Sequence, residues 1–284
     1  MTARILDGKA LAAAMKGEIA TEVEEFKAKH GFAPTIAVVR AGEDPASVSY
    51  ANQIQKAFTA AGMGFALHLL PDAAKQAKIE ALVRKLSRDK SVHGIMVQEP
   101  LPKGIDEEAV KTNIAPDKDV DGVTPVSMGL LTGGIGEFFA PATPSGGMEM
   151  LKRSGIELKG KRAVVIGRSN IVGKPMALLM LHQHATVTIC HSRTVDLPAV
   201  AREADILVAA IGRGKMVGAA FVKPGAVLVD FGVNFIDGKI VGDIDLEAVK
   251  EIAGAVTPVP GGTGPMTNIM LMKNVIAAAK RLTV

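Results

Sequence analysis

The sequence predicts an α/β protein made of two domains, each built on a parallel β-sheet. Short β-branched segments alternate with longer helix-like segments along most of the 284 residues, and such alternation is typical of right-handed βαβ units. A segment rich in Gly, Pro and Thr at 112–147 interrupts the alternation and predicts a domain junction. Because the alternation then resumes, we expect a second sheet after the junction.

In the first half, predicted strands and helices alternate as in consecutive βαβ units. Its predicted elements are strands at 34–40, 65–70 and 92–98, and helices at 45–61 and 73–90. Asp44 is a favourable N-cap for the first of these helices, and Pro45 suits its first position. In open parallel sheets ligands bind at the carboxyl ends of the strands, so we expect functional residues in the loops that follow them.

The second half repeats the pattern with four strands and a terminal helix. These strands are predicted at 162–166, 186–190, 205–210 and 226–230, and the helix at 268–281. We expect one domain from residues 1–140, completed by the C-terminal helix at 267–284, and a second domain from residues 141–266.

Composition limits the classes of function. Apolar residues make up 48% of the chain, charged residues 22%, and the formal net charge is +4. No basic run suggests nucleic-acid binding, and no apolar run reaches the roughly 18 residues of a membrane helix. Charged residues interrupt the N-terminal apolar segment, so we expect no secretory signal. The single Cys190 and the scattered histidines show no metal-ligand spacing. We therefore expect a cytoplasmic protein without a metal site.

A phosphate-binding turn is predicted after the strand at 162–166. That strand runs into Gly167, and Gly173 opens the next helix. Glycine lets the backbone approach a phosphate, and a helix N-terminus offers unpaired N–H groups and partial positive charge. The spacing differs from G-x-G-x-x-G, but its setting between strand and helix predicts a Rossmann-like dinucleotide site. The alternative is that both residues are ordinary turn glycines.

The end of the next strand favours NADP over NAD. An NAD site usually has Asp or Glu there, which accepts hydrogen bonds from the ribose 2′-OH. Here the strand ends in His191, Ser192 and Arg193. Serine and arginine donors suit the 2′-phosphate of NADP, and Arg168 can reach the same group. Taken alone, Arg193 could equally be a solvated charge.

Six ordered motifs resemble one known family. They are DPASVSY at 44–50, VQEPLP at 97–102, DKDVDG at 117–122, GRSNIVGKP at 167–175, ATVTICHS at 185–192 and TPVPGGTGPMT at 257–267. Together they resemble the bifunctional methylenetetrahydrofolate dehydrogenase/cyclohydrolases of one-carbon metabolism, over nearly the whole chain. The resemblance implies oxidation of 5,10-methylenetetrahydrofolate with NADP, then hydrolysis of the methenyl product to 10-formyltetrahydrofolate.

The resemblance also implies roles for particular residues. It places the folate in a cleft between the two domains and predicts a homodimer formed through the Rossmann domains. The implied catalytic and folate-binding residues are Tyr50, Gln98 and Asp121, with Pro258, Gly261 and Gly262 in a loop that borders the cleft. The implied cofactor-binding residues are Gly167, Arg168, Ser169, Ser192 and Val233, to which the turn and strand end add Gly173 and Arg193.

Several positions depart from the family pattern, mostly in the folate half. The departures are Ile54, Glu99, Thr124, Ser127, Ala142 and Thr263, where the pattern has Lys, Leu, His, Asn, Cys and Val. The lysine replaced by Ile54 is the one that the family uses in catalysis. Hydride transfer needs no general acid or base, whereas hydrolysis does. We therefore expect dehydrogenase activity without effective cyclohydrolase activity, unless Glu99 compensates.

Other interpretations stay open at this point. Tyr50 could be a core residue, Asp121 a turn residue, and Gln98 a partner for a strand-end backbone group. The chain could be an NADP-dependent dehydrogenase of another substrate. A shikimate-type enzyme would need a Lys–Asp pair, and the natural position for that lysine is Ile54. It could also be a regulatory protein that binds NADP without chemistry.

Overall fold

A computed structural model describes residues 2–283, which divide into two compact units. The C-terminal unit comprises Thr143–Thr267 together with the chain up to Ala13. The N-terminal unit comprises Ala14–Ala142 together with the chain from Asn268 onward. Among residues 2–283, no helix is long and apolar enough to span a membrane.

Strands and helices alternate along the described chain. The strands are β1 (Arg4–Ile5), β2 (Thr35–Ala41), β3 (Gly64–Leu70), β4 (Gly94–Val97), β5 (Arg162–Ile166), β6 (Thr186–Cys190), β7 (Ile206–Ala209), β8 (Val227–Asp230), β9 (Asn234–Ile236), β10 (Lys239–Val241) and β11 (Ala255–Val256). The helices are α1 (Gly8–His30), α2 (Pro45–Ala60), α3 (Gln76–Arg88), α4 (Glu107–Lys111), α5 (Pro125–Gly133), α6 (Ala142–Arg153), α7 (Gly173–His182), α8 (Leu197–Ala201), α9 (Leu246–Val249) and α10 (Gly264–Leu282), with 3₁₀ turns at Pro116–Lys118 and Ala219–Phe221.

The sheet of the N-terminal unit is three-stranded and parallel, in the order β3-β2-β4. Helix α3 covers apolar residues of this sheet with Ile79, Val83 and Leu86, spaced for one helix face. Asp44 caps α2 by accepting a hydrogen bond from the Ser47 N–H at 2.9 Å, as the sequence predicts. The chain passes from β2 to β3 on one side and then from β3 past β2 to β4 on the other side. The strand order therefore reverses at β2, and ligands bind at such a switch point.

The sheet of the C-terminal unit has six parallel strands in the order β1-β11-β8-β7-β5-β6. Alternate residues of its strands enter two apolar clusters. Leu207 and Leu228 belong to one cluster, and Val208 and Val229 to the other. Both faces of the sheet are therefore covered, which explains the continuous apolar runs of these strands. Its switch point lies at β5, between β6 and β7.

The predicted α/β class, with two parallel sheets, is confirmed, but three details differ. Strand β1 pairs with β11, so the N-terminal residues join the second sheet instead of the domain 1–140. The Gly/Pro/Thr segment contains α5, which begins after Thr124 because the Thr124 side chain caps it and Pro125 needs no N–H partner. Helix α10 begins at Gly264, four residues before the predicted start, because Pro265 is tolerated in a first turn.

Candidate active site

In the C-terminal unit, the turn after β5 is fixed by backbone packing. Gly167 has φ +127°, and a Cβ atom added to it would lie 2.1 Å from the Ala210 carbonyl oxygen, in the loop after β7. A Cβ added to Gly173 would lie 2.3 Å from the Gly167 carbonyl oxygen. Both glycines are therefore required by the close approach of loop segments, whether or not a ligand is bound.

The first turn of α7 differs from the sequence expectation of unpaired N–H groups. The Ser169 hydroxyl accepts hydrogen bonds from the N–H groups of Val172 at 3.2 Å and Gly173 at 3.3 Å. The Lys174 N–H donates to the Ser169 carbonyl at 3.1 Å, and Pro175 has no N–H. Ser169 thus acts first as a cap for the turn. Donors for an anion come instead from the exposed loop itself, where Arg168 has no ion-pair partner in residues 2–283.

The end of β6 forms a tight turn that presents two polar side chains. The His191 N–H donates to the Thr194 hydroxyl at 2.9 Å, and the Arg193 N–H donates to His191 Nδ1 at 3.1 Å. Ser192 and Arg193 are exposed in this turn, and positions 191–194 carry no carboxylate. The arrangement suits a phosphate ester and offers no carboxylate to accept hydrogen bonds from a pair of ribose hydroxyls.

Two buried carboxylates shape the loops after β7 and β8, and sequence reasoning missed both. Asp243 accepts hydrogen bonds from three successive N–H groups at 211–213, at 2.6 to 2.9 Å. Asp230 accepts from the N–H groups of Gly232, Asp243 and Ile244. Burial raises the pKa of Asp230 to about 6. The only sequence signal for either carboxylate was the position of Asp230 at the end of the buried strand β8. These contacts hold the segment that carries Val233, which is 65% exposed.

The loop at 258–262 is also tightly packed. A Cβ added to Gly262 would lie 2.5 Å from the Pro258 carbonyl oxygen, and one added to Gly8 would lie 1.8 Å from the Gly262 carbonyl oxygen. Gly261 has φ +108°, and its carbonyl accepts a hydrogen bond from the Lys9 N–H at 3.1 Å. Close packing within the loop accounts for Gly262, and packing between the loop and the start of α1 accounts for Gly8. Pro258 is half-buried.

In the N-terminal unit, α2 carries Tyr50 and Ile54 one turn apart. Tyr50 is half-buried, and burial, followed by the negative charge of Asp121, raises the pKa of its hydroxyl above the usual range. Ile54 is fully buried, with 0% of its surface exposed. Lys56, two positions further along, is exposed. This face of α2 therefore presents a phenol and an alkyl group, but no amine.

Gln98 follows β4 and has an unusual side chain. It is 4% exposed, and neither its Oε1 nor its Nε2 has a hydrogen-bond partner within residues 2–283. Its backbone N–H donates to Val39 in the sheet, so the strand end needs no help from the amide. An unpaired buried amide costs about 1–3 kcal/mol. Such a group is expected where a ligand supplies the missing donors and acceptors.

The two aspartates of the DKDVDG motif have different tasks. Asp119 is fully buried and accepts hydrogen bonds from the N–H groups of Val123 and Thr124 and from the Ser127 hydroxyl. The carboxylate of Asp121 accepts no hydrogen bond from the described residues. Burial raises the pKa of Asp121 to about 7, with further raising by the charges of Asp119 and Glu99 and lowering by Lys111. Asp119 is thus the turn residue, and Asp121 is left for other contacts.

A buried lysine lies beside this group. Lys111 Nζ lies 2.8 Å from both Glu99 Oε1 and Glu108 Oε1. Burial works against its charged form, but the hydrogen bonds to Glu108 and Glu99 outweigh burial, and the pKa of Lys111 is raised. The lysine therefore stays protonated and paired. The Glu108 partner was visible as an i,i+3 pair in the sequence, whereas the contact with Glu99 depends on the fold.

The N-terminal unit therefore offers a carboxyl that titrates near neutral pH, an unpaired amide and a phenol. Such groups can orient a heterocycle through hydrogen bonds and balance a positive charge. The electrostatic contacts link Tyr50, Glu99 and Lys111 to Asp121. Within residues 2–283, no cluster of His, Cys, Asp and Glu could hold a metal ion.

Comparison with known families gives matches over most of the chain. The catalytic domain of tetrahydrofolate dehydrogenase/cyclohydrolase matches residues 6–121, and the NAD(P)-binding domain of the same enzymes matches residues 141–283.

Individual relatives are similar over their full length. The bifunctional protein FolD of Chloroflexus aggregans is 51% identical over 281 residues, which are 99% of this chain and 98% of the relative. The crystal structure of the bifunctional FolD from Campylobacter jejuni is 42% identical with a TM-score of 0.95, and covers 98% of both chains. The Trypanosoma brucei enzyme, complexed with NADP cofactor and inhibitor, is 36% identical with a TM-score of 0.94, over 99% of this chain and 98% of that one.

Proposed function

The chain belongs to the tetrahydrofolate dehydrogenase/cyclohydrolase family, and we propose that it keeps the dehydrogenase reaction while cyclohydrolase activity is lost. It is an NADP-dependent methylenetetrahydrofolate dehydrogenase. The observation that carries the proposed loss is Ile54, a fully buried alkyl side chain. The motif resemblance implies that a catalytic lysine stands at this position in the family.

The donor set of the C-terminal unit fits NADP. When bound by these residues, NADP⁺ would supply the hydride acceptor for the reaction. We assign the 2′-phosphate to Ser192, Arg193 and Arg168, because they are exposed donors in the loops after β6 and β5, and positions 191–194 carry no acid. Gly167, Ser169 and Gly173 form the turn that leaves room for the pyrophosphate. We assign Val233 to the nicotinamide side from its motif position, and its exposure leaves it available for contact.

The substrate is a tetrahydrofolate derivative, and we assign its binding to the unpaired groups of the N-terminal unit. The side-chain amide of Gln98 would form hydrogen bonds with the polar edge of the pterin, which it lacks within the chain. Tyr50 would pack beside the aromatic part of the substrate. Asp121, when ionised, would balance the positive charge that spreads over the N–C–N bridge after hydride loss. The motif resemblance also implies substrate-binding roles for Pro258, Gly261 and Gly262 of the C-terminal unit.

Hydrolysis of the methenyl bridge requires a positioned acid–base group, which these residues do not provide. Water must lose a proton as it attacks, and a ring nitrogen must gain one, so a positioned acid–base group typically contributes about 10²–10⁴-fold. Ile54 cannot transfer a proton, and Lys56 lies about 200° around the helix from it. Lys111 stays protonated between two carboxylates. Glu99 is paired with Lys111, which limits it as a base.

A single two-wavelength assay tests this proposal. Purified protein is mixed with NADP and methylenetetrahydrofolate while NADPH and the methenyl product are followed separately. We expect NADPH and methenyltetrahydrofolate to accumulate in equal amounts, with decay of the methenyl product at the buffer's spontaneous rate. Decay clearly above that rate would refute the loss of cyclohydrolase activity. Tight NADP binding without turnover would favour another substrate or a regulatory role instead.

Ile54→Lys is the gain-of-function test, with Ile54→Met as its matched control. The lysine variant should accelerate hydrolysis by about 10²-fold or more, while both variants retain dehydrogenase activity. The methionine variant reports how well position 54 tolerates an unbranched side chain. If Ile54→Lys folds and oxidises substrate but hydrolyses no faster than Ile54→Met, position 54 is not what limits the reaction.

We also propose a homodimer formed through the C-terminal unit. Strand β6 is an edge strand of its sheet, and it exposes 43% of Ile189, while Leu181 at the end of α7 is 51% exposed. Exposed apolar residues beside an unpaired strand edge favour pairing with a second copy. Ile189→Glu should shift the molar mass measured by light scattering from dimer to monomer. A wild-type monomer at micromolar concentration would contradict the proposal.

A cytoplasmic location is proposed as well. Cys190 is a buried free thiol, and cytosolic proteins usually keep their thiols reduced. Fractionation of the source cells, with the activity followed in each fraction, tests the location. Recovery outside the cytoplasmic fraction would exclude it.

A further inference from the structure

Strand β2 ends in a buried charge to which the proposed reaction assigns no role. Arg40 is 6% exposed. Its Nη2 donates to Glu43 Oε2 at 3.1 Å, and the Glu43 side chain is 79% exposed. The Nε of Arg40 is buried as well and has no hydrogen-bond partner within residues 2–283. Because a guanidinium keeps its protons in proteins, this Nε–H is a buried donor without an acceptor.

The sheet register places Arg40 beside Gln98. Val39 of β2 pairs with Val97 of β4, and the Gln98 N–H continues the ladder by donating to the Val39 carbonyl. Arg40 and Gln98 are therefore the next residues on neighbouring strands, which lie about 4.8 Å apart. Val39 and Val97 belong to the apolar cluster under α3. Since side chains alternate between faces, Arg40 and Gln98 share the opposite face.

Helix α2 covers the face that carries Arg40 and Gln98. The connections through α2 and α3 cross the sheet in opposite directions, and right-handed crossovers then place these helices on opposite faces. The Ser47 hydroxyl near the start of α2 donates to the Glu99 carbonyl at 2.9 Å, which ties the helix to the residue after Gln98. Arg40 therefore belongs to the same face as the folate-binding groups proposed for α2 and β4.

The unpaired groups of Arg40 and Gln98 define the ligand that would satisfy them. Arg40 offers an N–H donor, and Gln98 offers amide N–H donors and the acceptor Oε1. A carboxylate would accept from the donors but leave Oε1 unpaired. A lactam edge, in which a carbonyl lies beside an N–H, would satisfy all of them. The pterin ring of a reduced folate has such an edge at its C4 carbonyl and N3–H.

We propose that Arg40 is a specificity-determining residue, whose Nε–H donates to the C4 carbonyl of the pterin beside Gln98. The proposal rests on the tetrahydrofolate substrate of the proposed function. A buried site that hydrogen-bonds one substrate group rejects analogues without it, because its own polar atoms are then left unpaired. Since the guanidinium does not exchange its proton, Arg40 contributes to recognition and does not replace the acid–base group missing at Ile54.

Tetrahydrofolate and its 4-amino-4-deoxy analogue are the probes, titrated calorimetrically into the full chain without oxygen or NADP. The analogue carries an amino donor where tetrahydrofolate has the carbonyl acceptor. Gln98 can rotate its amide to suit either edge, whereas Arg40 can only donate. We expect the wild type to prefer tetrahydrofolate about ten-fold or more, because the contact is a charge-assisted hydrogen bond. Arg40→Met, which keeps an unbranched chain without a donor, should abolish most of this preference.

Two variants serve as matched controls. Glu43→Gln removes the charge of the exposed ion-pair partner but keeps the Arg40 Nε–H, so the preference should persist. Arg88→Met removes an exposed arginine of α3 and should change neither affinity. Arg40→Met should keep or raise the melting temperature, because it removes an unpaired buried donor and leaves Glu43 in solvent. A lower melting temperature with an unchanged preference would show that Arg40 serves the fold instead.

Substrate kinetics give a second readout. Arg40→Met should raise KM for methylenetetrahydrofolate more than it lowers kcat, because the C4 carbonyl does not react and its contact is the same before and during hydride transfer. A fall in kcat alone would contradict the proposal.

The binding measurement separates this proposal from the proposed function, because it needs no turnover. Equal affinity of the wild type for the two probes, or an unchanged preference in Arg40→Met, would overturn the role of Arg40 and leave the folate substrate in place. Failure of the wild type to bind either probe at millimolar concentration would contradict the folate substrate itself, and the role of Arg40 with it.

Discussion

The two units are built in opposite ways around their proposed ligands. In the C-terminal unit the loops are held by their own backbone, with Gly167 pressed against Ala210 and Ser169 bonded within its turn. In the N-terminal unit the buried side-chain amide of Gln98 has no hydrogen-bond partner among the described residues. A site made by backbone packing tolerates few sequences, whereas a site made by unpaired side chains can change its chemistry by single substitutions. On this basis we expect departures from the family pattern to lie mostly in the folate half, as the motif resemblance predicts.

The largest effect on binding and stability is expected in the C-terminal unit, where backbone packing shapes the cofactor site. Gly167→Ala places a Cβ 2.1 Å from the Ala210 carbonyl oxygen at φ +127°, and strained backbone alone costs about 1–3 kcal/mol. We expect a lower melting temperature and loss of NADP binding at concentrations that saturate the wild type. Gly218→Ala is the control, because its added Cβ meets nothing within 4 Å. Thermal shift with and without NADP measures both effects. Unchanged NADP binding in Gly167→Ala would show that side chains, and not backbone packing, determine the cofactor site of the C-terminal unit.

Asp121→Asn should act on turnover and leave NADP binding unchanged. A neutral amide cannot balance the methenyl cation, and losing one preorganised electrostatic contact costs about 10²–10³-fold. Because the pKa of Asp121 is raised to about 7, wild-type turnover should rise with pH through that value, and the Asn variant should lose this limb. Normal turnover in the variant would make Asp121 a second turn residue, like Asp119.

The same carboxyl links stability to pH. Its pKa rises from 3.8 to about 7 on folding, so the folded chain binds this proton more tightly than the unfolded chain. Its contribution to stability is full below about pH 4 and is lost as pH rises through 7. Relative to Asp121→Asn, the wild type should therefore become less stable between these values. Denaturant unfolding of both proteins at pH 5 and pH 8 measures the difference.

The sequence predicts what depends on local pattern and misses what depends on distant contacts. Strands β5 and β6, the Asp44 cap and the glycine turn follow from composition and spacing alone. The pairing of β1 with β11 joins residues about 250 positions apart, and no local signal records it. Likewise, the sequence shows two aspartates in DKDVDG, but only the fold shows that Asp119 holds the turn and Asp121 is left unpaired.

A smaller effect is expected from the arginines of the C-terminal unit. The combined Arg168→Ala and Arg193→Ala variant should weaken NADP binding more than NAD binding, because only NADP carries the 2′-phosphate. Each lost charge-assisted hydrogen bond should cost about 1.5–3 kcal/mol. Fluorescence titration with both cofactors measures the ratio. Equal weakening of both would place these arginines on the shared pyrophosphate instead.

The smallest effect is expected from the ion pair between Glu99 and Lys111, beside Asp121. The direction in which each substitution shifts the pH–rate profile is the test. Glu99 raises the pKa of Asp121 and Lys111 lowers it. Glu99→Gln should therefore move the rising limb of the pH–rate profile to lower pH, and Lys111→Gln should move it to higher pH. Glu108→Gln is a control, because Glu108 binds Lys111 at 2.8 Å but is not among the charges that shift Asp121. A merely structural pair would lower kcat without moving the limb. Opposite shifts from the two substitutions would show that single side chains set the pKa of Asp121. Such sensitivity is expected of a site made by side chains and not by backbone packing.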